Sequence, residues 1–137
     1  MNKLLYDAGY KTTPGRLAIL ELLEKSKKPL GIAKITRGLR GKKLDPVTVY
    51  RVLDVLEKVG LVRKVDLRHG HADYEFAATD DHHHLVCVRC GRIEDFKGCD
   101  LDSLARKAIR DSNKFAKITQ HSLEFFGTCK VCAGKKA

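Results

Sequence analysis

Two pairs of cysteines constrain the fold of this 137-residue chain more than any other feature. Cys87 and Cys90 form one CxxC pair, Cys129 and Cys132 form another, and 38 residues separate the pairs. A two-residue spacer lets both sulfurs of a pair point at one ion, so the four thiolates predict a closed, structural zinc site. Four unrelated free thiols are the alternative, which the repeated spacing disfavours. The remaining cysteine, Cys99, has no partner at this spacing and is interpreted as a free or partly buried thiol.

The charge balance predicts an anionic partner. Lys and Arg number 27 against 17 Asp and Glu, which gives a formal net charge of +10. Double-stranded DNA is favoured over a membrane surface, because no run of about 18 apolar residues is present to span a bilayer. The N-terminal sequence MNKLLYDAGY lacks the apolar core of a secretion signal, so we expect a cytoplasmic protein. A reducing compartment also favours metal ligation by the cysteines over disulfides.

The first part of the chain has the pattern of a winged helix-turn-helix. Helical periodicity predicts helices over 13–24, 32–39 and 46–59, with Thr13 and Asp45 as N-caps and a proline after each. Two strand-like runs follow, 61–67 and 72–76, joined by a loop that contains His69 and His71. We therefore predict a DNA-binding domain over residues 1–77.

The third of these helices has a polar face that suits the DNA major groove. Thr48, Tyr50 and Arg51 lie on it and could contact bases and phosphates, and Lys11 and Arg16 belong to the basic charge of this half. An amphipathic helix that only packs against its neighbours is the alternative interpretation.

Residues 78–137 differ sharply in composition and predict a second small domain, so that the whole chain is α+β. Strands are expected over 85–88, 92–96 and 116–126, with a helix over 101–113 between the last two. Two domains in a chain of this length are too small for large cores, so a metal staple or a partner subunit is expected.

A run of aspartates and histidines at the start of this domain predicts two metal sites. Because alternate residues of a strand face opposite sides, His82 and His84 should point one way, and Asp81 and His83 the other. Mixed nitrogen and oxygen donors suit zinc, ferrous iron, manganese or nickel. A solvated polar loop is the alternative. The acidic and histidine residues that could complete the two ligand sets are Glu75, Asp95, Asp102 and His121.

Taken together, these motifs resemble the ferric uptake regulator family over nearly the whole chain. The segments that carry the resemblance are AGYKTTPGRLAIL, DPVTVYRVLDVLEKVGLV, DYEF, HHHLVCVRCGRIEDF and HSLEFFGTCKVC. The resemblance implies a homodimer in which each subunit joins a winged helix to an α/β dimerisation domain. It also implies that the dimer binds palindromic operators when a sensing metal is loaded.

Site residues follow from the resemblance position by position. Cys87, Cys90, Cys129 and Cys132 match structural zinc ligands. The sensing site at the hinge is matched by Glu75, His82, His84 and Asp95. A further site in the dimerisation domain is matched by Asp81, His83, Asp102 and His121. Tyr50 and Arg51 match DNA base and backbone contacts, and Lys11 matches a basic residue that approaches the minor groove.

The sequence departs from many relatives at one sensing-site position. Pro29 stands in place of a histidine that many relatives have just before the helix predicted here over 32–39. His69 or His71 could replace that ligand, or water could complete the site. Ala77 stands near the position of a cysteine that some zinc-sensing relatives use. The sensing metal therefore stays open among Fe²⁺, Zn²⁺, Mn²⁺ and Ni²⁺.

The function predicted from these features is metal-responsive transcriptional regulation, as a repressor of metal-uptake or metal-homeostasis genes. A constitutive DNA-binding protein with only the structural zinc is the second hypothesis. A zinc hydrolase built on the histidines is the third, and we expect no enzyme, because neither an HExxH motif nor a nucleophile elbow is present.

Overall fold

The computed structural model describes residues 1–77, 82–98, 100–119 and 121–135. The chain divides into two compact units, Met1–Asp80 and Asp81–Ala137. Helices and small sheets occur in both, and the predicted α+β class is confirmed. No helix in the part of the chain that the structure describes is long and apolar enough to span a membrane.

The helices of the first unit begin where the sequence supplies caps. They are α1 (Asn2–Asp7), α2 (Pro14–Ser26), α3 (Ile32–Gly38), a 3₁₀ turn (Arg40–Lys42) and α4 (Pro46–Lys58). The hydroxyl of Thr13 accepts a hydrogen bond from the Arg16 amide at 3.3 Å, and the Asp45 carboxylate accepts one from the Thr48 amide at 2.9 Å. These bonds satisfy amide groups that a helix N-terminus otherwise leaves unpaired.

A three-stranded antiparallel sheet closes the first unit. Its strands β1 (Leu30–Gly31), β2 (Val62–Val65) and β3 (Asp73–Phe76) lie in the order β1-β3-β2. The buried side chains of the helices and the sheet form one apolar cluster: Leu5, Ala18, Ile19, Leu20, Leu23, Ile35, Leu39, Val49, Leu53, Leu56, Leu61, Val62, Tyr74 and Phe76. The loop between β2 and β3, residues 66–72, is the wing.

The second unit is a smaller sheet with two helices. Its elements are β4 (His83–Cys87), β5 (Ile93–Phe96), α5 (Leu101–Arg110), β6 (Glu124–Gly127) and α6 (Lys130–Gly134). The central strand β4 pairs antiparallel with β5 and parallel with β6. Because β6 returns the chain alongside β4, the second cysteine pair follows a strand that lies next to the first pair.

Three sequence expectations need correction. The predicted strand over 116–126 is reduced to β6, because β4 begins at His83 and parallel pairing aligns His84 with Glu124, so residues 116–119 have no β4 partner. Val47, which helical periodicity groups with the apolar residues of α4, is 59% exposed, since Val49, Leu53 and Leu56 form the buried face. The short elements α1, β1 and α6 were not expected, because they lack the periodicity that longer elements show.

Candidate metal centres and nucleic-acid interface

The four paired cysteines converge at the end of β4. Their sulfurs all lie within 4.8 Å of one another, and Cys90 Sγ is 3.7 Å from Cys129 Sγ. A tetrahedral zinc ion with thiolate bonds of about 2.3 Å separates its sulfurs by about 3.8 Å, so the arrangement fits zinc. Gly91, with φ of +70°, closes the first turn, and the Arg89 guanidinium donates to the Cys132 carbonyl oxygen at 2.7 Å. This last bond joins the two pairs.

Backbone amides prepare the cluster for a cation. The Cys129 N–H donates to Cys87 Sγ at 3.3 Å, and this bond, with the amide of Cys90, lowers the pKa of the Cys87 thiol to about 6. Hydrogen bonding with the sulfurs of Cys129 and Cys90 raises the pKa of Cys132 to about 12. The folded cluster therefore favours a thiolate at Cys87 and disfavours one at Cys132, and a bound divalent ion would offset part of the repulsion among four thiolates.

The histidine run enters β4 with the predicted alternation. His82 and His84 lie side by side with ring centroids 5.1 Å apart, whereas His83 lies against His121 with centroids 5.4 Å apart. The alternation is thus confirmed for the three histidines, and Asp81 lies outside the described residues. His83 and His84 are both buried.

Sheet register places carboxylates beside His84. Asp95 of β5 and Glu124 of β6 are its direct neighbours in the two flanking strands, and direct neighbours share a face of the sheet. Asp95 was predicted as a ligand. Glu124 was missed, because the parallel pairing of β4 with β6 joins segments about forty residues apart and leaves no local signal.

The residues predicted for the further site also come together where they are described. Asp102 on α5 and His121 line one cavity of about 430 Å³, and His121 is the residue that His83 contacts. Glu75, the remaining predicted ligand, belongs to the first unit, where it is buried on β3 and its Oε1 lies 3.6 Å from Arg63 Nε.

The outer face of α4 presents the predicted DNA-contact residues. Tyr50 is 54% exposed, and Arg51 is exposed beside it. The Thr48 hydroxyl donates to the Asp45 carboxylate at 2.6 Å, so this side chain also serves the helix cap, and together with the Thr48 amide it lowers the pKa of Asp45. Val47 is also exposed on this face and adds an apolar group that can contact a thymine methyl. Periodicity alone groups Val47 with the core residues.

Arg16 and Lys11 lie at the start of α2. The Arg16 guanidinium donates to the Lys11 carbonyl oxygen at 2.7 Å and stacks over the Tyr10 ring at 5.3 Å. Arg16 thereby fixes the segment that carries the exposed Lys11 side chain.

A winged helix joined to a unit with a four-cysteine cluster and histidine groups defines a metal-dependent transcriptional regulator. The model of the ferric uptake regulator family matches residues 7–126, and the chain belongs to that family. The family consists of regulators and not enzymes, so the expectation of no enzyme is confirmed and the hydrolase hypothesis is wrong. The predicted cofactors are metal ions, and the chain carries a four-cysteine cluster and His, Asp and Glu groups that could hold them.

Individual relatives extend over the same length. The ferric uptake regulation protein of Legionella pneumophila is 37% identical over 131 residues, covering 93% of this chain and 95% of its own. The peroxide operon regulator of Bacillus subtilis is 34% identical over 134 residues, 96% of this chain and 90% of its own. The Helicobacter pylori ferric uptake regulator Fur, described as having three functional metal-binding sites, matches 99% of this chain and 91% of its own with a TM-score of 0.78 and 25% identity.

Proposed function

We propose that this protein is a repressor that binds palindromic operators as a homodimer in the cytoplasm when a divalent metal fills a sensing site made by Glu75, His82, His84 and Asp95. Cys87, Cys90, Cys129 and Cys132 hold the structural zinc in this proposal. A further site uses Asp81, His83, Asp102 and His121. The relatives are named for regulating ferric uptake or a peroxide operon, so the proposal leaves the sensing metal to measurement.

The observation that carries the proposal is the row of donors across the second sheet. His82, which directly precedes β4, lies with its ring centroid 5.1 Å from that of His84, and Asp95 of β5 is paired with His84. Two imidazoles and a carboxylate are a donor set for first-row divalent metals. Glu124 lies on the other side of His84, and its carboxylate can either bind the metal itself or orient the His84 imidazole.

Glu75 enters the sensing site through the family resemblance, and its surroundings in the first unit suit a switch. Its buried carboxylate faces the Arg63 guanidinium, which supplies positive charge in the absence of an ion. A metal that ligates the same oxygen of Glu75 would compete with this ion pair, so the Arg63 guanidinium opposes metal binding there.

The DNA half of the proposal rests on charge and on α4. The chain carries a net charge of +10, and phosphate neutralisation dominates nonspecific DNA affinity. Tyr50, Arg51 and Thr48 are placed to read the major groove, while Lys11 and Arg16 contact the backbone or the minor groove.

Exposed apolar side chains in the second unit support the homodimer. Phe96 and Phe125 pack against each other with ring centroids 6.0 Å apart yet are 37% and 44% exposed. Leu104 on α5 is 59% exposed, and this helix has no buried residue. Apolar surface of this kind is what a dimer interface covers.

Metal and DNA are linked through the population of dimer states. In one arrangement of the dimer, both α4 helices fit the two half-sites of the operator. A metal that binds this arrangement more tightly than the others increases its population, and operator affinity rises by the ratio of the two metal affinities at most. Reciprocity requires operator DNA to tighten metal binding by the same factor.

The test is operator affinity at fixed ionic strength for protein that retains only its cysteine-bound zinc, titrated separately with Fe²⁺, Mn²⁺, Zn²⁺ and Ni²⁺. We expect one metal to raise affinity tenfold or more, about 1.4 kcal/mol, and the double variant His82→Ala, His84→Ala to abolish the rise. The comparison variant is His83→Ala, which removes a ligand of the further site on the same strand and shows whether the response depends on that site instead.

Equal affinity with and without all four metals would overturn the proposal in favour of constitutive DNA binding by a zinc-stapled protein. A response that survives His82→Ala, His84→Ala and disappears with His83→Ala, His121→Ala would move sensing to the further site and contradict the ligand assignment. Fixed salt is essential, because the phosphate contribution alone changes affinity by orders of magnitude.

A further inference from the structure

The wing of the first unit contains a cluster of potential metal ligands, none of which belongs to the cysteine cluster or to the β4 histidines. His69, His71 and Asp73 each place one ligand atom within 4.8 Å of the other two. His69 Nε2 is 2.6 Å from Asp73 Oδ2, and His71 Nδ1 is 4.0 Å from Asp73 Oδ1. All three residues belong to one compact unit of the chain.

The turn of the wing brings these side chains together. Arg68 and Gly70 adopt positive φ values of 57° and 90°, and the Arg68 amide donates to the Asp66 carboxylate at 2.8 Å. His69 and His71, on either side of Gly70, consequently lie with ring centroids 4.1 Å apart. The convergence is thus built into the backbone of the wing.

Asp73 anchors the cluster in the sheet. It is 3% exposed and lies on β3 between Gly31 of β1 and Val65 of β2. A buried carboxylate is costly unless positive charge or hydrogen-bond donors face it. A divalent ion held with the two imidazoles would supply that charge.

Gly31 makes room for the arrangement. A Cβ atom at this position would lie 2.9 Å from His71 Cε1 and 3.3 Å from Asp73 Oδ1. The φ of Gly31 is −72°, so the backbone does not itself require glycine. The absent side chain is what lets the His71 ring lie over β1 beside Asp73.

We propose that His69, His71 and Asp73 form an additional, exchangeable site for a divalent cation of the zinc, nickel or copper class. Donors around a tetrahedral ion with bonds of about 2.0–2.1 Å are separated by about 3.3 Å, and the observed 2.6 and 4.0 Å bracket that value. The two histidines are exposed and can rotate to meet it. Three protein ligands leave at least one position for water, so the ion exchanges more readily than one held by four cysteines.

This site goes beyond the proposed sensing mechanism, because it would tie the wing to β3 within the DNA-binding half itself. The test uses the full-length chain with its cysteine zinc in place and with His82, His83, His84 and His121 changed to alanine. The only remaining histidines are then those of the wing. We expect this variant to bind one further Zn²⁺ per chain in competition with a fluorescent chelator.

Removal of a wing donor should weaken that extra equivalent at least tenfold, whether by His69→Ala, His71→Ala or the nearly isosteric Asp73→Asn. Gly31→Ala should weaken it while keeping every donor, because the new methyl group displaces the His71 ring. Gly41→Ala is the matched control, since a Cβ there meets nothing within 4 Å.

Absence of an extra zinc equivalent, or one that survives His69→Ala with His71→Ala, would overturn the site and leave the cluster as a structural histidine–aspartate contact. A second measurement covers misfolding of the four-alanine variant. In the wild-type chain, the NMR signals of the His69 and His71 rings should shift when Zn²⁺ is added. In the Asp73→Asn variant the same signals should not shift. Unchanged ring signals in the wild type would equally contradict the proposal.

Discussion

The interior of each unit of this chain is stabilised by different interactions. In the first, helices α2, α3 and α4 and the sheet enclose a continuous cluster of fully buried apolar side chains such as Ile19, Leu20 and Leu53. In the second, among residues 82–98, 100–119 and 121–135, only Val86 and Cys87 are buried apolar residues. The first unit therefore gains its stability from apolar burial, and the second requires another source.

The polar content of the second unit shows what that source is. Its buried side chains include His83 and His84, and its cysteine pairs meet at the end of the central strand. Metal binding contributes directly to the folding free energy of small domains with such sites. The first unit is thus stabilised by its apolar core. In our proposal the second unit is stabilised by bound metal and by a second subunit that covers its exposed Phe96 and Leu104.

Loss of the structural zinc should give the largest difference between the units. Cys132→Ser, or chelation of the ion, is expected to lower amide protection strongly in β4 and β6 while α4 keeps its protection, because structural zinc contributes to the folding free energy of small zinc domains. Hydrogen exchange of the Cys87 and Val88 amides, which donate to Arg92 and Gly127, reports the second unit. Cys99→Ser is the control, and full protection of β4 in Cys132→Ser would contradict the comparison.

Truncation of a buried leucine should have a smaller effect, confined to the first unit. Leu53→Ala on α4 is expected to cost about 2–5 kcal/mol of unfolding free energy, since its side chain is fully buried. Leu104→Ala on α5, which is 59% exposed, should change the stability of the first unit by less than about 0.5 kcal/mol. Urea unfolding followed by hydrogen exchange of α4 measures both. Equal losses would show that the two units do not fold separately.

The same contrast explains which parts of the fold the sequence predicts. Helices α2 and α4 are marked by Thr13 and Asp45, whose side chains make the expected capping bonds. Such signals are local, so one segment suffices to read them. The strand predicted over 116–126 failed because pairing depends on a distant partner: β4 supports only Glu124–Gly127.

Site prediction divides in the same way. The cysteine spacing and the alternation of His82, His83 and His84 are local patterns, and their geometry is as predicted. Glu124 beside His84 was missed because strand register places it there, and nothing in its own segment marks it. Asp73 was missed because its contact with the wing histidines depends on the turn of the wing. The metal-binding roles of the predicted ligands remain predictions that the variants above test.

The smallest expected effect concerns the number of protons released when the second unit binds zinc, which should differ by about one between pH 7.5 and pH 5.5. Backbone amides lower the pKa of Cys87 from its ordinary value of 9.0 to about 6 in the folded chain. The ionised Cys87 thiolate therefore contributes fully to the stability of the folded second unit above about pH 9, and this contribution is lost as the pH falls through about 6. At pH 7.5 Cys87 is already a thiolate, whereas Cys132, with its pKa raised to about 12, still carries a proton that zinc must displace.

Zinc binding to the reduced, metal-free protein at pH 7.5 should therefore release at most about three protons, because one of the four thiols is already ionised. Calorimetric titrations in buffers of different ionisation enthalpy count the released protons. The same titration at pH 5.5, below the pKa of Cys87, is the control and should release about one proton more. Release of four protons at pH 7.5 would mean that the amides of Cys129 and Cys90 are not in place before the metal binds, so that the second unit acquires even its cysteine turns from the ion.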